Sequence, residues 1–493
     1  MNILVIGSGG REHAICHAFS RSPKVSQIFC APGNAGIASI AECIGINAED
    51  VSALAEFAAA AEIDLTFVGG ETPLALGIVD IFEARGFKII GSSKAAARLE
   101  SSKAFAKDFM ARHDVPTAKF ETAESANEAV SILNSGSFGE AASPVVVKAD
   151  GLAAGKGVVV AKDRAEAIDA INDMAKLVGA DAAAKIVIEE CLVGREVSLI
   201  MFADGEDFSL MPPTRDHKRI GEGDTGPNTG GMGTITDDTL LSPEQLQIVI
   251  DKFIKPTLKG CIAEGFPFRG ILFLGLMISD SGVRRQEDNG DPDFALTGVR
   301  ASVINLLEYN VRFGDPETQS ILVRLETDFV DICQAMLSVS SSHANRGTSD
   351  TGGSLTLREG LALKNLNIKW QPGNSATVVL AAKGYPKSPQ KGDVISGLDE
   401  AAKIDGVTIF HAGTSLSEPP VSGGGEVAAP TNDRLAESLP PTNAGGSDYL
   451  TAGGRVLGVT AVASNLDEAL AASYKAVDSI SWEGMQFRRD IGK

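Results

Sequence analysis

The stretch Val146–Ala161, VVKADGLAAGKGVVVA, sets Gly151, Gly155 and Gly157 around Lys156, with Lys148 just upstream. Glycines let backbone N–H groups approach an anion closely, and lysines supply point charges, so the combination suits phosphate. It is not a P-loop. That motif, G-x-x-x-x-G-K-[ST], needs Ser or Thr after the lysine, where Gly157 stands. A P-loop also runs from a strand into a helix whose N-terminus binds the phosphates. Here β-branched runs lie on both sides, so the glycines join strand to strand. A plain hairpin turn fits the same residues, but two-residue turns suffice for that, and this loop is longer and carries charge.

Other stretches offer complementary chemistry. In IVIEECLVGREVS an apolar strand runs into Glu189, Glu190 and Leu192, with Glu196 beyond. Backbone groups there could pair with the edge of an adenine and a carboxylate could hold ribose hydroxyls; a solvated strand end has the same composition. In NLLEYNVRFGDPETQ, Glu308 and Asn310 alternate and so share a strand face, with Arg312 following. One or two oxygen ligands completed by phosphate and water suit Mg²⁺, and a neighbouring Arg could neutralise charge on a transferred phosphoryl group. A surface ion pair would look alike. PPTRDHKRIGEGDTGPNTGGMG packs Arg215, Asp216, His217, Lys218 and Arg219 beside a Gly-rich turn, either a solvated charge run or an anion site. VIGSGGREHA puts Gly7, Gly9 and Gly10 between a strand and a helix but departs from G-x-G-x-x-G, because Glu12, followed by His13, stands where the last glycine belongs. Arg11 at that helix start suits a single phosphate.

Three regions must position these groups. Residues 1–100 alternate apolar strands (NILVIG, SQIFCAPG, DLTFVGG, FKIIG) with helical stretches, which predicts a parallel sheet covered by helices, a Rossmann-like α/β domain. APGNAG and VGGETPLALG end two of these strands, where open α/β sheets bind ligands. Residues 101–327 read as α+β with antiparallel pieces, and residues 328–493 as a smaller mixed domain closing on the helix LDEALAASYKAVDSI. Segments 284–302, 338–353 and 417–449 look inserted; the last is rich in Pro, Gly, Ser and Asn, a composition that cannot bury enough apolar surface to offset ordering entropy. They are expected to be mobile surface excursions.

Composition narrows the class. The 493 residues are 44% hydrophobic and 22% charged, with a formal net charge of −20. Such a field repels nucleic acid and anionic membranes, although a local basic pocket for a phosphorylated metabolite remains compatible with it. The six cysteines are scattered without zinc spacing and read as buried thiols in a reducing compartment. MNILVIGSGG reads as a strand rather than a signal peptide, and no stretch reaches the roughly 20 apolar residues of a membrane span. A cytoplasmic location is expected.

Taken in order, GSGGREHA, APGNAG, VKADGLAAGKGV, DHKR, DTGPNTGGMG, RFGDPETQ, GYP and FHAGT resemble the phosphoribosylamine–glycine ligase (glycinamide ribonucleotide synthetase) family of the ATP-grasp superfamily. The resemblance spans nearly the whole chain apart from the three inserted segments. It implies an N-terminal α/β substrate domain, an ATP-grasp domain with a mobile lid at about 118–196, and a C-terminal domain. It implies ligation of glycine to 5-phosphoribosylamine through glycyl phosphate, yielding ADP and phosphate, in the second step of purine synthesis. It implies ATP as substrate, Mg²⁺ or Mn²⁺ as cofactor, small molecules as the sole partners and a monomer. By this resemblance Lys103 and Lys148 bind ATP phosphates, residues 151–157 close over them, Glu189, Glu190 and Leu192 form the adenine hinge and Glu196 holds ribose. Glu308 and Asn310 hold the metal, with Arg312 near the γ-phosphate. Gly9, Gly10, Arg11, Glu12, Asn34 and Glu71 form the phosphoribosylamine site, and Asp216, Lys218 and Asp315 line the glycine and amine end.

Two departures stand out: Gly70 replaces the family's usual Pro, and EYN replaces EFN, with Tyr309 expected to point away from the metal face. Three other readings compete. An ATP-grasp ligase with a different acid or amine would share the nucleotide half. A Rossmann oxidoreductase would need a complete glycine fingerprint. An inactive nucleotide-binding module would not need Lys148, Glu308, Asn310 and Arg312 together.

Overall fold

Apolar, β-branched runs at the amino terminus form five parallel strands in the order Glu42–Cys43, Gln27–Pro32, Asn2–Gly7, Leu65–Val68, Ile89–Ile90. Ile3, Leu4, Val5 and Ile6 are fully buried, as strands covered on both faces must be. Asn2–Gly7 lies at the centre, and the chain leaves it first to one side and then to the other. The carboxyl ends of Asn2–Gly7 and Leu65–Val68 therefore flank a topological switch point, the ligand crevice of open α/β sheets. Helices Gly10–Ser20 and Glu71–Leu76 start there.

The computed structural model describes residues 1–152, 157–179, 183–279, 302–338, 363–417 and 448–493. Gly155, Lys156 and most of the three inserted segments, with the mobility expected of them, lie outside the described residues. The chain divides into two compact units: Met1–Gly91, His217–Asp237 and Phe313–Lys493 form one, and Ser92–Asp216 with Asp238–Arg312 form the other.

In the first unit, antiparallel strands Gly233–Thr236, Asn374–Ala381, Arg455–Ala463 and Val407–His411 are hydrogen-bonded in that order. Helix Leu466–Val477 packs on this sheet around Val378, Leu380, Val459 and Val477. Buried hydroxyls between helix Glu317–Leu322 and the sheet satisfy one another: Ser320 Oγ lies 2.7 Å from Thr377 Oγ1, which lies 2.8 Å from Thr460 Oγ1. The C-terminal tail grips the hairpin Arg219–Gly221/Thr225–Asn228. Arg488 is buried, donates to Asp224 Oδ1 at 2.8 Å and to the Arg219 carbonyl at 3.0 Å, and is held by Asp490; Asp490 Oδ2 in turn accepts from Gly223 N at 2.7 Å. Strands Thr414–Leu416 and Tyr449–Thr451 pair, and beyond them Ser417 N donates to the Asp448 carbonyl at 2.8 Å.

The second unit contains an antiparallel sheet in the order Phe120–Ala123, Ile186–Glu190, Val145–Ala149, Val158–Ala161. Helices Ala126–Asn134 and Arg164–Val178 cover one face through Leu133, Ile171 and Met174. The strands flanking the Gly-rich loop are thus neighbours, as the sequence predicts. Strands Val303–Asn310, Arg269–Ser279 and Arg195–Asp204 form a second antiparallel ladder. Helix Lys94–Ser101 is followed by Lys103–Arg112, and the break falls at Ser102, whose Oγ caps the second helix by accepting from Phe105 N. Helices Pro243–Val249 and Lys255–Ala263 are joined by a π-turn over Ile250–Ile254. Pro256 comes one residue after it and has no N–H to donate to the turn before it.

All six cysteines are free thiols. Cys16, Cys30, Cys261 and Cys333 are buried as expected; Cys43 and Cys191 are only partly so. Among the described residues no helix is long and apolar enough to cross a membrane.

Candidate active site

In the second unit the sheet register puts Lys148 on Val145–Ala149 opposite Val187, two residues before Glu189. The Glu189 side chain turns inward. Its Oε1 lies 2.7 Å from Lys148 Nζ and its Oε2 lies 2.9 Å from Lys107 Nζ, and both Glu189 and Lys107 are 2% exposed. The Lys148 contact is an ion pair without hydrogen-bond alignment, since Glu189 Oε1 has no hydrogen-bond partner. Lys107 also donates to Thr117 Oγ1 at 2.7 Å, and Thr117 donates to the Leu306 carbonyl at 2.6 Å. Burial, then the charge of Lys148, pushes the Lys107 ammonium down to about 8 against the pull of Glu189. Lys103 is lowered too, by burial first, with Glu308 opposing.

The loop root is anchored by Asp150. Its Oδ1 accepts from Ala104 N at 2.7 Å and from Ser102 Oγ at 3.0 Å, fixing the start of Lys103–Arg112, while Lys103 Nζ reaches the Gly151 carbonyl at 3.3 Å. Gly157 closes the far side through its carbonyl, which accepts from Ala149 N at 2.8 Å.

Strand Val303–Asn310 carries Glu308 and Asn310. The ladder with Arg269–Ser279 slips between Gly275, opposite Glu308, and Leu276, opposite Leu306. The skipped Leu307 offers its carbonyl to Lys148 Nζ at 3.3 Å. A Cβ on Gly275 would sit 3.3 Å from Glu308 Cγ, so the missing side chain gives that carboxylate its room. Asn310 Oδ1 accepts from Arg312 at 3.1 Å, and Arg312 is held by Glu100 at 2.8 Å. Tyr309 faces the other way, buried, with its hydroxyl 2.6 Å from Thr257 Oγ1, which is why the extra oxygen of EYN is tolerated. One carboxylate and one amide oxygen on one strand face are hard donors, and among the described residues no cluster of three His, Cys, Asp or Glu exists. The set fits a divalent ion that keeps phosphate and water ligands, as Mg²⁺ does, and not a fully protein-ligated one.

The residues expected to form the adenine hinge divide. Glu190 Oε1 accepts from Lys119 N at 2.9 Å, Leu192 is half-buried, and Glu196 is exposed near the start of Arg195–Asp204. Glu189 belongs instead with the lysines. Asp216 ends the short strand Thr214–Asp216.

In the first unit, Glu12 is 2% exposed and folds back over the start of its own helix, accepting from Gly9 N and Arg11 Nε, each at 2.6 Å. Cβ atoms at Gly7 and Gly69 would lie 2.5 and 2.1 Å from Glu12 atoms, so these glycines clear the space it fills. That carboxylate occupies the helix N-terminus where a dinucleotide pyrophosphate would bind, a physical reason to set aside the oxidoreductase reading. Arg11 also donates to the Phe313 carbonyl at 3.2 Å and lies 3.9 Å from Glu71. Burial alone would lower its pKa, but Glu12, Glu71 and Asp315 outweigh that and raise it. Gly10 leaves room for Gln319 Nε2, which a Cβ would approach to 2.6 Å. Gly70 N-caps Glu71–Leu76, and a Cβ there would meet only Arg11 at 3.3 Å within close range.

Asn34 spends its amide on the protein: Nδ2 donates to the Ser8 and His411 carbonyls, and Oδ1 accepts from Gly36 and Ile37 N. It ties the APGNAG turn to GSGGREHA and FHAGT. His13 Nδ1 accepts from His411 N at 2.9 Å, so its ring proton sits on Nε2; burial, then His411 and His17, keeps it neutral. Asp315 Oδ2 pairs with Arg455 at 3.0 Å, and Arg455 also holds the Asp315 carbonyl. The Lys218 carbonyl accepts from Thr229 N and Oγ1, both at 2.8 Å.

Sequence reasoning missed Lys107, Glu100, Asp150 and Arg455. Lys107 follows Lys103 by one helical turn, a spacing that marks a shared face. Glu100 and Arg455 carry no comparable local signal.

The second unit's nucleotide-type site on an ATP-grasp scaffold sets the class. Residues 101–318 match the profile described as phosphoribosylglycinamide synthetase, ATP-grasp (A) domain, and a biotin carboxylase from Campylobacter jejuni, 16% identical, shares the fold with a TM-score of 0.61 over 99% of this chain and 92% of that one. Residues 1–100 match the N domain and residues 375–493 the C domain of the same synthetase. The chain belongs to the phosphoribosylglycinamide synthetase family. It is 41% identical to a phosphoribosylamine–glycine ligase of Vibrio parahaemolyticus over 100% of this chain and 98% of that protein. The crystal structure of phosphoribosylamine–glycine ligase from Thermotoga maritima superposes with a TM-score of 0.71 at 29% identity, covering both chains fully.

Proposed function

We propose that this protein joins glycine to 5-phosphoribosylamine with ATP, giving glycinamide ribonucleotide, ADP and phosphate in purine biosynthesis. The observation that carries the reading is the Lys107–Glu189–Lys148 cluster set against the strand bearing Glu308 and Asn310. Family membership over the full chain supports the choice of substrates.

Glycine's carboxylate resists amine attack because its oxygen is a poor leaving group. In the first step a carboxylate oxygen attacks the γ-phosphorus of ATP, the bond to the β-phosphate oxygen breaks, and ADP leaves. In the second, the amine nitrogen of phosphoribosylamine attacks the acyl carbon, loses a proton and expels phosphate. Neither step needs a protein nucleophile, so catalysis consists of positioning and charge neutralisation. Lys103, Lys148 and the loop containing Gly151, Gly155, Lys156 and Gly157 hold the phosphates. The backbone from Glu190 to Leu192 meets the adenine edge and Glu196 the ribose, while the Glu189 side chain serves the lysines. Glu308 and Asn310 would hold Mg²⁺ or Mn²⁺, which supplies charge neutralisation at the phosphates when bound. Arg312, fixed by Glu100, faces charge developing on the transferred group. Arg11, with Gly9, Gly10 and Glu71, receives the phosphoribosyl phosphate; Glu12 and Asn34 shape that site from within. Asp315, Asp216 and Lys218 serve the amine and glycine.

A phosphate-release assay with ATP, glycine and freshly made phosphoribosylamine tests the reading. Release should need all three, and alanine or serine should not replace glycine. Equal release with another amino acid, or with the amine omitted, would refute the substrate assignment.

A further inference from the structure

Lys107 stands outside every motif that points to the site, yet it is among the most deeply buried charges of the second unit. A lone buried ammonium is costly, and a buried pair needs further hydrogen bonds to compensate its desolvation. One carboxylate with one lysine would have sufficed for pairing. Instead two ammonium groups share Glu189, one on each oxygen, at 2.9 and 2.7 Å. The cluster therefore carries one positive charge in excess. The geometry also distributes the roles. Lys107 is engaged on two sides, by Glu189 Oε2 and by Thr117 Oγ1, the latter tied to the Leu306 carbonyl. Lys148 touches Glu189 out of hydrogen-bond alignment and has only a long contact to the Leu307 carbonyl. Its N–H groups are the less committed ones.

We propose that Lys107 is a positioning residue for nucleotide binding: by taking half of Glu189, it leaves Lys148 with an uncompensated charge to offer to phosphate. Without Lys107, Glu189 and Lys148 form a neutral pair, and the carboxylate draws Lys148 toward itself and away from an anion. The inference rests on the reading of the second unit as an ATP site.

The test compares affinities for ATP and for adenosine, measured by equilibrium dialysis with radiolabelled ligands on the full-length protein. Adenosine carries the base and ribose but no charge. Lys107→Met keeps the volume and removes the charge; it should weaken ATP binding about tenfold, the order expected for losing one nearby charge in a partly screened site, with adenosine affinity unchanged. Lys107→Arg should restore most of the ATP affinity. A merely structural role would lower both affinities together, or the melting temperature alone. An unchanged ATP-to-adenosine ratio in folded Lys107→Met overturns the proposal. Should Lys107→Met not fold, Lys107→Gln, which can still donate to Thr117, takes the same measurement. Failure of both to fold also overturns the proposal, since it assigns Lys107 to the fold. Lys148→Ala is the control for the underlying reading: if it leaves ATP affinity unaltered, the ATP-site assignment itself fails, whatever Lys107 does.

Discussion

At the scale of single residues, the chemistry lies in groups whose neighbours come from far along the chain. Glu308 is half-buried, in a space made by Gly275, and its charge bears on Lys103 and Lys107. Glu308→Ala is expected to keep the fold while phosphate release at ordinary Mg²⁺ falls by about a hundredfold or more, the scale of removing a preorganised charge-stabilising group. Near-parental turnover would remove Glu308 from metal binding. Lys148, Glu308, Asn310 and Arg312 could be singled out from sequence because alternation along one strand and a Gly-Lys-rich loop are local signals. The role of the Glu189 side chain was not. Sequence showed a carboxylate at the end of an apolar strand, but its partners Lys107 and Lys148 come from a helix and another strand. Likewise the glycines of GSGGREHA read as a phosphate turn, whereas the space around Gly7 and Gly69 is filled by Glu12.

At the scale of elements, the strands and helices followed from periodicity, and the ends were set by side chains that periodicity ignores. Ser102 separates two consecutive helices because its hydroxyl caps the second, and Asp150, just past strand Val145–Ala149, reinforces the break. The C-terminal tail beyond the last helix gave no sequence signal, yet it is the clamp on the 219–228 hairpin. Arg488→Ala would leave Asp224 and Asp490 without their shared partner and should destabilise the first unit by about 3 kcal/mol, readable as a lower denaturant midpoint. The clamp has a definite pH response. Its hydrogen bonds to Arg488 hold the Asp490 carboxyl down to about 2, against an opposing desolvation. A carboxyl lowered on folding stabilises fully above its unfolded value and loses that contribution as pH falls through its folded one. Tail release, followed by Trp482 fluorescence in a Trp370→Phe background, should therefore occur as pH drops from about 4 toward 2. In Arg488→Ala it should begin at higher pH; an unshifted curve would dissociate Asp490 from the clamp.

At the scale of the molecule, the formal charge of −20 opposes the polyanionic substrate, so affinity for ATP must arise within a few ångströms. Long-range repulsion is screened by salt over about 10 Å at 0.1 M, while short contacts are screened much less. The association rate constant for ATP, by stopped flow, should rise between about 10 and 150 mM salt; a steep fall would mean that a basic field steers the nucleotide. The sequence suggests three consecutive regions, whereas the described residues divide into two units; the return of residues 217–237 to the first unit was not legible, because it depends on pairing of Gly233–Thr236 with Asn374–Ala381. A last consequence belongs to the hairpin Thr414–Leu416/Tyr449–Thr451. Ser417 and Asp448 close it with mutual hydrogen bonds, Ser417 N to the Asp448 carbonyl and Asp448 N to Ser417 Oγ, each at 2.8 Å. The ladder therefore fixes its own register, and lengthening the chain between these residues adds a loop-closure entropy that grows with the logarithm of length. Exchanging residues 418–447 for Asn-Gly should keep phosphate release and raise stability by up to about 2 kcal/mol. By the same logarithm, a folded guest with closely spaced ends could be housed there at little thermodynamic penalty, giving the enzyme a point for fusion that its catalytic groups would not register.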